Sequence, residues 1–333
     1  GAGNFTRLDQ NGLRLRSVSN KRAAPRNCGA MRGGRGWIEQ LIGVVLRKGQ
    51  RSIRQARCTT GTEMRTAQYG EIGEAADVLD IVDCPHPVTG PGEVRVRVKA
   101  SGVNPSDVKI RSGHIPSPWG FPRTPHSDGA GVIDAVGEGV DPARIGERVW
   151  IFNAAWGRTT GTAGEYVVVP ENFTAPLHDD ISFEIGACLG IPASTALHAL
   201  TLNGDIRGKT VLVAGGAGAV GHYAVQFARQ LGAARILATV SSSEKAELAR
   251  LAGADRVINY RTEDTLQVIM DATSGAGVDL IVEVDLSVNV NLDVAALAKE
   301  GRLVAYGSSE REFKMPFSKS ILKNIGFDFF ILY

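Results

Sequence analysis

The chain has 333 residues, 43% hydrophobic and 22% charged, with a net charge of +2; that is apolar material for one large or two ordinary domains and excludes a disordered or collagen-like polypeptide. No apolar run reaches the ~18 residues of a membrane helix, so no membrane partner is expected. The four cysteines show neither C-x-x-C nor C-x-H spacing, which excludes a zinc ribbon or disulfide scaffold and suits a reducing compartment.

The small net charge hides two unlike segments. Residues 1–62 carry thirteen Lys or Arg against Asp9 and Glu39, a net +11, which leaves −9 for the remainder. This basic leader has no sustained period of 2 or 3.6 and reads as Arg/Gly/Asn-rich, disordered coil. Three readings stay open: sequence upstream of a domain that starts at Met64, an organelle transit peptide, or a nucleic-acid arm, the last disfavoured because no stacking platform accompanies the charge. The expected compartment is the cytoplasm, or the mitochondrion if the leader is a transit peptide.

Residues 63–185 are strand-rich and punctuated by Gly and Pro. Val94-Arg95-Val96-Arg97-Val98-Lys99 alternates strictly, the pattern of a half-buried strand, and Gly90-Pro91-Gly92-Glu93 before it is a turn. Further short strands are predicted over 129–137, 147–151 and 165–169, and helical patterns are scarce until Ile185. An irregular all-β domain follows.

Residues 186–333 change grammar. Strands are predicted at 210–214, 235–240, 256–259, 280–284 and 302–306, with helices from 220, over 244–251, 262–273 and 288–298, and a last apolar run at 326–332. Six strands with intervening helices make a doubly wound parallel α/β sheet, because parallel neighbours need crossover connections. After the first strand comes Gly215-Gly216-Ala217-Gly218-Ala219-Val220-Gly221, a G-x-G-x-x-G turn that opens a helix and so reads as a dinucleotide-binding signature. Gly216 and Gly218 are expected to let the backbone approach a pyrophosphate, and Gly221 to let the helix lie on the sheet. The N–H groups of Ala219, Val220 and Gly221 then face the anion. NAD sites usually place a carboxylate about 20 residues further on; here stands Thr239-Val240-Ser241-Ser242-Ser243. Ser241, Lys245 and Tyr260 together suit a 2′-phosphate, so NADPH is the expected cofactor; the alternative leaves Lys245 a solvated helix residue and Tyr260 an ordinary strand aromatic.

The stretches Gly102-Val103-Asn104-Pro105-Ser106-Asp107-Val108-Lys109-Ile110-Arg111-Ser112-Gly113, Pro125-His126-Ser127-Asp128-Gly129-Ala130-Gly131, the glycine turn, and Gly253-Ala254-Asp255-Arg256-Val257-Ile258-Asn259-Tyr260 resemble the medium-chain dehydrogenase/reductases. Within them, the likeness is to the zinc-free quinone oxidoreductases related to zeta-crystallin, and it runs from about Met64 to Tyr333. The resemblance implies a chaperonin-10-like catalytic domain followed by a Rossmann domain, with NADPH as reductant and a quinone or other conjugated carbonyl as substrate. It also implies no metal: zinc-dependent relatives carry Cys where Asn104 stands and Gly-His-Glu where His126-Ser127-Asp128 stands, so His126 is read as structural. Cys28, Cys58, Cys84 and Cys188 form no four-cysteine lobe. Asn104 becomes a candidate amide donor and Asp107 a candidate orienting or proton-relaying group, against the local alternative that Asn-Pro-x-Asp is a turn cap. Thr195 matches a position near the nicotinamide amide, and Gly307 and Ser308 fall at the cofactor-facing end of the fifth strand. Lys109 and His114 stand where some relatives have Tyr. The resemblance further implies a homodimer through the sixth strand and a segment returning to the catalytic domain beyond Tyr333. Enone or enoyl-thioester reduction and a non-catalytic, crystallin-like NADPH-binding role remain the alternatives.

Overall fold

The structure, a computed structural model, describes residues 63–332 together with two leader strands, Asn4–Asp9 (β1) and Gly12–Leu13 (β2). The expectation of disorder for the rest of the leader lies outside the described residues. The chain divides into two compact units, Gly1–Ile191 and Pro192–Tyr333.

The first unit is antiparallel. Glu63–Gln68 (β3) pairs with Asp80–Pro85 (β4), with the short helix Ala75–Val78 (α1) between them. The main sheet centres on Glu93–Val103 (β5), where Val94, Val96 and Val98 are buried while the intervening Arg95, Arg97 and Lys99 are not. That alternation is what the sequence predicted. Each buried Val contributes about 1.5–3 kcal/mol of apolar burial. The helix Pro105–Arg111 (α2) follows, then Asp128–Val136 (β6), Arg148–Ile151 (β7), Tyr166–Pro170 (β8), Thr174–Pro176 (β9) and the single-turn helix Phe183–Gly186 (α3). The sheet runs β2-β1-β5-β6-β7-β9, with β8 also on β5. The core between the strands is Val94, Val96, Val98, Ile133, Val149, Ile151, Val167 and Val169.

Two features depart from the sequence reading. Asn4–Asp9 is extended, not coil, and pairs with residues 100–103 of β5. Strand β8 covers that side of β5 only along 93–97, and the N–H and C=O groups beyond it form an open edge that takes up another strand. The second departure is α2, a helix where few helical patterns were expected. Pro105 at its first position and Asp107 at its third start it, and its buried residues are Asp107 and Arg111 while Val108 is exposed. A helix that buries its polar face has no apolar period to read.

The second unit is a doubly wound parallel sheet. Ser194–Thr201 (α4) precedes Thr210–Val213 (β10), Ala219–Gln230 (α5), Arg235–Val240 (β11), Ser243–Leu251 (α6), Arg256–Asn259 (β12) and Thr265–Ala272 (α7). Val278–Glu283 (β13), Leu286–Ala296 (α8), Leu297–Ala305 (β14), Phe317–Lys323 (α9) and Gly326–Phe329 (β15) complete it. The strand order is β12-β11-β10-β13-β14-β15, and every adjacent pair is parallel. One face of the sheet buries Val211, Val213, Ile236, Ala238 and Val282 with α4, α5 and α6. The other buries Leu212, Leu237, Ile258, Ile281 and Leu303 with α7 and α8.

The eighth helix ends at Ala296, earlier than the predicted 298, because Leu297 is drawn into the core and begins β14. Strand β14 then slips its register against β13 around Glu300, whose φ is +64°. Among the described residues no helix is long and apolar enough to cross a membrane.

Candidate functional site

In the second unit the candidate cofactor residues lie at the carboxyl edge of the parallel sheet, where ligands of such folds bind. The turn after β10 is tied down from the neighbouring strand. The N–H of Gly215 donates to Thr239 Oγ1 (3.1 Å), and that of Gly216 to the Thr239 carbonyl (3.0 Å). Thr239 was not singled out from the sequence; its signal is a hydroxyl at the end of the second strand.

Gly215 has φ +68°, a left-handed conformation that glycine adopts without strain. The remaining glycines divide the labour differently from the expectation. A Cβ on Gly216 would lie 2.6 Å from Ala238 Cβ, so this residue serves the packing of the turn on β11 and not an approach to a ligand. A Cβ on Gly221 would lie 2.2 Å from the Gly215 carbonyl oxygen, which lets α5 start hard against the turn. Gly218 is the least crowded of these three: a Cβ there would meet only the Gly215 oxygen, at 3.2 Å, a tight contact that a shift of a few tenths of an ångström relieves. It is also the N-cap of α5 and has no side chain to satisfy the first N–H groups of that helix, those of Ala219, Val220 and Gly221. No acidic residue stands in that first turn. A twelve-residue helix with its positive end uncapped fits an anionic diphosphate.

At the end of β11, Lys245 Nζ donates to Ser241 Oγ (3.0 Å), while Ser242 caps α6 by accepting from the Lys245 N–H (3.2 Å). The cap holds the first turn of α6 so that the ammonium sits over the strand end. Tyr260 is exposed at the neighbouring strand end, its N–H on the Val240 carbonyl (3.1 Å). Ser241 and Lys245 are thus in contact, with Tyr260 beside them on the same edge. Thr195 is buried in the first turn of α4. Gly307 follows β14, and its carbonyl accepts from the Leu286 N–H (3.1 Å); Ser308 donates to the Glu310 carbonyl (2.7 Å).

In the first unit Asn104 and Asp107 form one end of α2. The Asp107 carboxylate accepts from the Asn104 N–H (2.8 Å), half of a capping box. The turn-cap reading therefore describes the local geometry. The Asn104 side chain does something more: its Nδ2 donates to Asp128 Oδ2 (2.7 Å), and Asp128 also accepts from the Ile191 N–H (2.9 Å). Asn104 is 4% exposed and Asp128 1%. Asp128 belongs to the quoted Pro125–Gly131 stretch yet was not chosen from sequence, because its partner is 24 residues away.

Burial pushes the Asp128 carboxyl up to about 8, against the pull of the Asn104 and Ile191 hydrogen bonds. Burial likewise raises Asp107 to about 7, opposed by the N–H groups of Asn104, Ser127 and His126 and by the Arg123 guanidinium. His126 Nδ1 meets Ser101 Oγ (2.8 Å), which in turn meets Thr162 Oγ1 (2.8 Å), and burial lowers the ring to about 4, so it is neutral. Lys109 and His114, by contrast, lie outside this buried group. Among the described residues no three His, Cys, Asp or Glu are grouped as a metal site.

Comparison with known proteins gives matches to both units. A family model described as an alcohol dehydrogenase GroES-like domain matches residues 90–179, and one described as a zinc-binding dehydrogenase matches 219–333. The chain is 35% identical over 246 residues to a quinone oxidoreductase of Rattus norvegicus, covering 73% of each. It is 34% identical to one of Pseudomonas aeruginosa, covering 73% of this chain and 72% of that protein. Among solved structures it is similar to Escherichia coli quinone oxidoreductase complexed with NADPH, at 27% identity and TM-score 0.70, covering 80% of this chain and 81% of that one.

Proposed function

The chain belongs to the quinone oxidoreductases of the medium-chain dehydrogenase/reductase superfamily, and from that membership we propose that it reduces quinones with NADPH, without zinc. When bound, NADPH supplies the hydride; the quinone takes up that hydride and one proton to become the hydroquinone. The glycine turn and the α5 N-terminus bind the diphosphate through the N–H groups of Ala219, Val220 and Gly221. Ser241, Lys245 and Tyr260 receive the 2′-phosphate, a role supported by the Lys245–Ser241 contact and by the absence of a carboxylate in 239–243. Thr195, Gly307 and Ser308 line the remaining length of the cofactor.

The observation that carries the reaction is the buried amide of Asn104. Of its two Nδ2 hydrogens one is spent on Asp128. The second is the donor for the quinone oxygen as charge develops there, the role an oxyanion donor plays in a dry site. Asp128 orients the amide. Asp107, with its carboxyl near neutrality, delivers the proton through water. An already electrophilic quinone needs no stronger Lewis acid, which agrees with Asn104 standing where zinc-dependent relatives carry Cys.

We assign the chain to the cytoplasm and to a homodimer through β15, with the quinone as its small-molecule partner and no nucleic acid. Steady-state oxidation of NADPH by ortho- and para-quinones, with NADH as control and metal content measured, tests the reading. Turnover that prefers NADPH in zinc-free protein is expected; no turnover with any quinone, or a stoichiometric zinc, overturns it.

A further inference from the structure

The second unit holds a pair of buried carboxyls that the reaction does not use. Glu283 ends β13 and is 0% exposed; Asp293 lies on α8 and is 1% exposed. Glu283 Oε1 accepts from the Asp285 N–H (2.5 Å) and from Asn289 Nδ2 (2.9 Å). Glu283 Oε2 and Asp293 Oδ2, however, are buried with no donor on either, although the two side chains are in hydrogen-bonding contact. Two ionised carboxylates are acceptors only, so such a contact exists only with a proton between them. Burial, and then the charge of Glu283, raise Asp293 to about 9.

The pair does not stand alone. By fixing the Asp285 N–H, Glu283 sets the turn between β13 and α8. The Asp285 carboxylate in turn accepts from the Ser309 N–H (2.8 Å), the Ser309 hydroxyl and the Ser287 hydroxyl (2.9 Å). A continuous chain of hydrogen bonds therefore runs from the dry interior to the loop after β14. Both loops lie on the carboxyl edge of the sheet, next to Gly307 and Ser308.

We propose that Glu283 and Asp293 share one proton and act as a positioning pair, holding the turn at 283–287 and, through Asp285, the Ser309 loop in the shape that binds the reductant. The inference rests on the NADPH reading for the identity of that reductant. The groups that interact with the pair are Asp285 and the phenol of Tyr306, which follows β14; the helices packed on α8 add Lys323 of α9 and Asp271 of α7. Glu283 helps to raise the Tyr306 phenol. The Lys323 ammonium is engaged by the carbonyls of Val294, Ala295 and Leu297, and Asp271 accepts from Gln267. Within the hydrogen-bonded pair itself, Asp293 is the side chain that meets Glu283.

Asp293→Asn keeps a permanent N–H donor toward Glu283, whereas Asp293→Ala removes it. Three measurements on the full chain decide the matter. In infrared spectra at neutral pH, subtracting Asp293→Asn from the wild type should leave the carbonyl stretch of one dry protonated carboxyl, while the band of the buried Asp128 carboxyl, common to both, cancels. In hydrogen exchange without nucleotide, the Ser309 segment should exchange faster in Asp293→Ala and remain as in the wild type in Asp293→Asn. In calorimetry, NADPH affinity of the wild type should fall at least about fivefold from about pH 7.5 to about pH 10, and less in Asp293→Asn. A missing carbonyl band, equal exchange in Asn and Ala variants, or identical pH profiles overturns the proposal. If no form of the chain takes up NADPH, the cofactor reading fails by itself, and the infrared and exchange results still decide the pair.

Discussion

Asn104 and Asp128 are joined by one buried hydrogen bond, and the proposed chemistry of the first unit rests on it. A donor aimed at developing charge is worth about 10²–10³ in turnover when its site is dry. Asn104→Ala should therefore lower kcat with a quinone about 100-fold and leave the KM for NADPH unchanged if, as proposed, the amide donates to the substrate and not to the nucleotide; an equal rise in that KM would assign Asn104 to cofactor binding. The neighbouring carboxyls make a second, thermodynamic statement. Asp107 and Asp128 are raised by burial to about 7 and about 8, above the value of an unfolded carboxyl. The folded state thus holds protons that the unfolded chain has released. Their contribution to stability is greatest below the usual carboxylate range and declines as pH rises through about 8. Urea midpoints followed from about pH 5 to about pH 9 should show that decline, and Asp128→Asn should flatten it; a variant that declines as steeply as the wild type would contradict the assignment. At the other site, Lys245→Ala should reduce the preference for NADPH over NADH about tenfold, one charge-assisted hydrogen bond being worth roughly 1.5–3 kcal/mol. The preference is read from the two kcat/KM values.

At the scale of elements, the glycine turn and α5 separate packing from binding. A methyl on Gly221 would meet the backbone oxygen of Gly215 at 2.2 Å, and neither atom belongs to a side chain that can swing away. Gly221→Ala should cost about 2 kcal/mol or more of stability, measured as a lowered urea midpoint. Gly218→Ala meets the same oxygen at 3.2 Å, a tight contact that a shift of a few tenths of an ångström relieves; it should lose less stability than Gly221→Ala and lose NADPH affinity, because the methyl stands at the N-cap beside the α5 N–H groups proposed to bind the diphosphate. If both variants lost stability equally, Gly218 would be another packing residue. The same contrast explains what the sequence made legible. The alternation over Val94–Lys99 is a local pattern, and the turn between a strand and a helix is a local motif, so both were readable. The role of Gly216 depends on Ala238 of the adjacent strand, and that of Asn104 on Asp128, 24 residues on. Such partners are set by sheet order, which no local spacing encodes. Helix α2 escaped for a different reason: its buried residues are Asp107 and Arg111, the reverse of the pattern that reveals a helix.

For the molecule as a whole, the two edges of the parallel sheet are unlike. Both edge strands have four residues, but the flank of β12 is charged, with Arg256 paired to Glu263, a protected edge. Strand β15 closes the opposite side with Phe329 60% exposed and Ile331 just beyond it 68% exposed. Unpaired N–H and C=O groups beside exposed apolar side chains are a template for another strand. A second copy of the same strand meets that need by a two-fold axis, which closes the contact instead of propagating it. The two six-stranded sheets would then continue into one another through antiparallel β15 strands. Asp328 does not oppose this, since its carboxylate is already engaged by Asn203 Nδ2 at 2.8 Å. Sedimentation of the wild type should give a dimer at micromolar concentration. Phe329→Lys, which places a charge on the edge as natural edge strands do, should shift it to monomer while NADPH binding, on the carboxyl edge of the sheet, stays within about twofold. A wild type that sediments as a monomer, or a Phe329→Lys variant that remains dimeric, would move the interface away from β15.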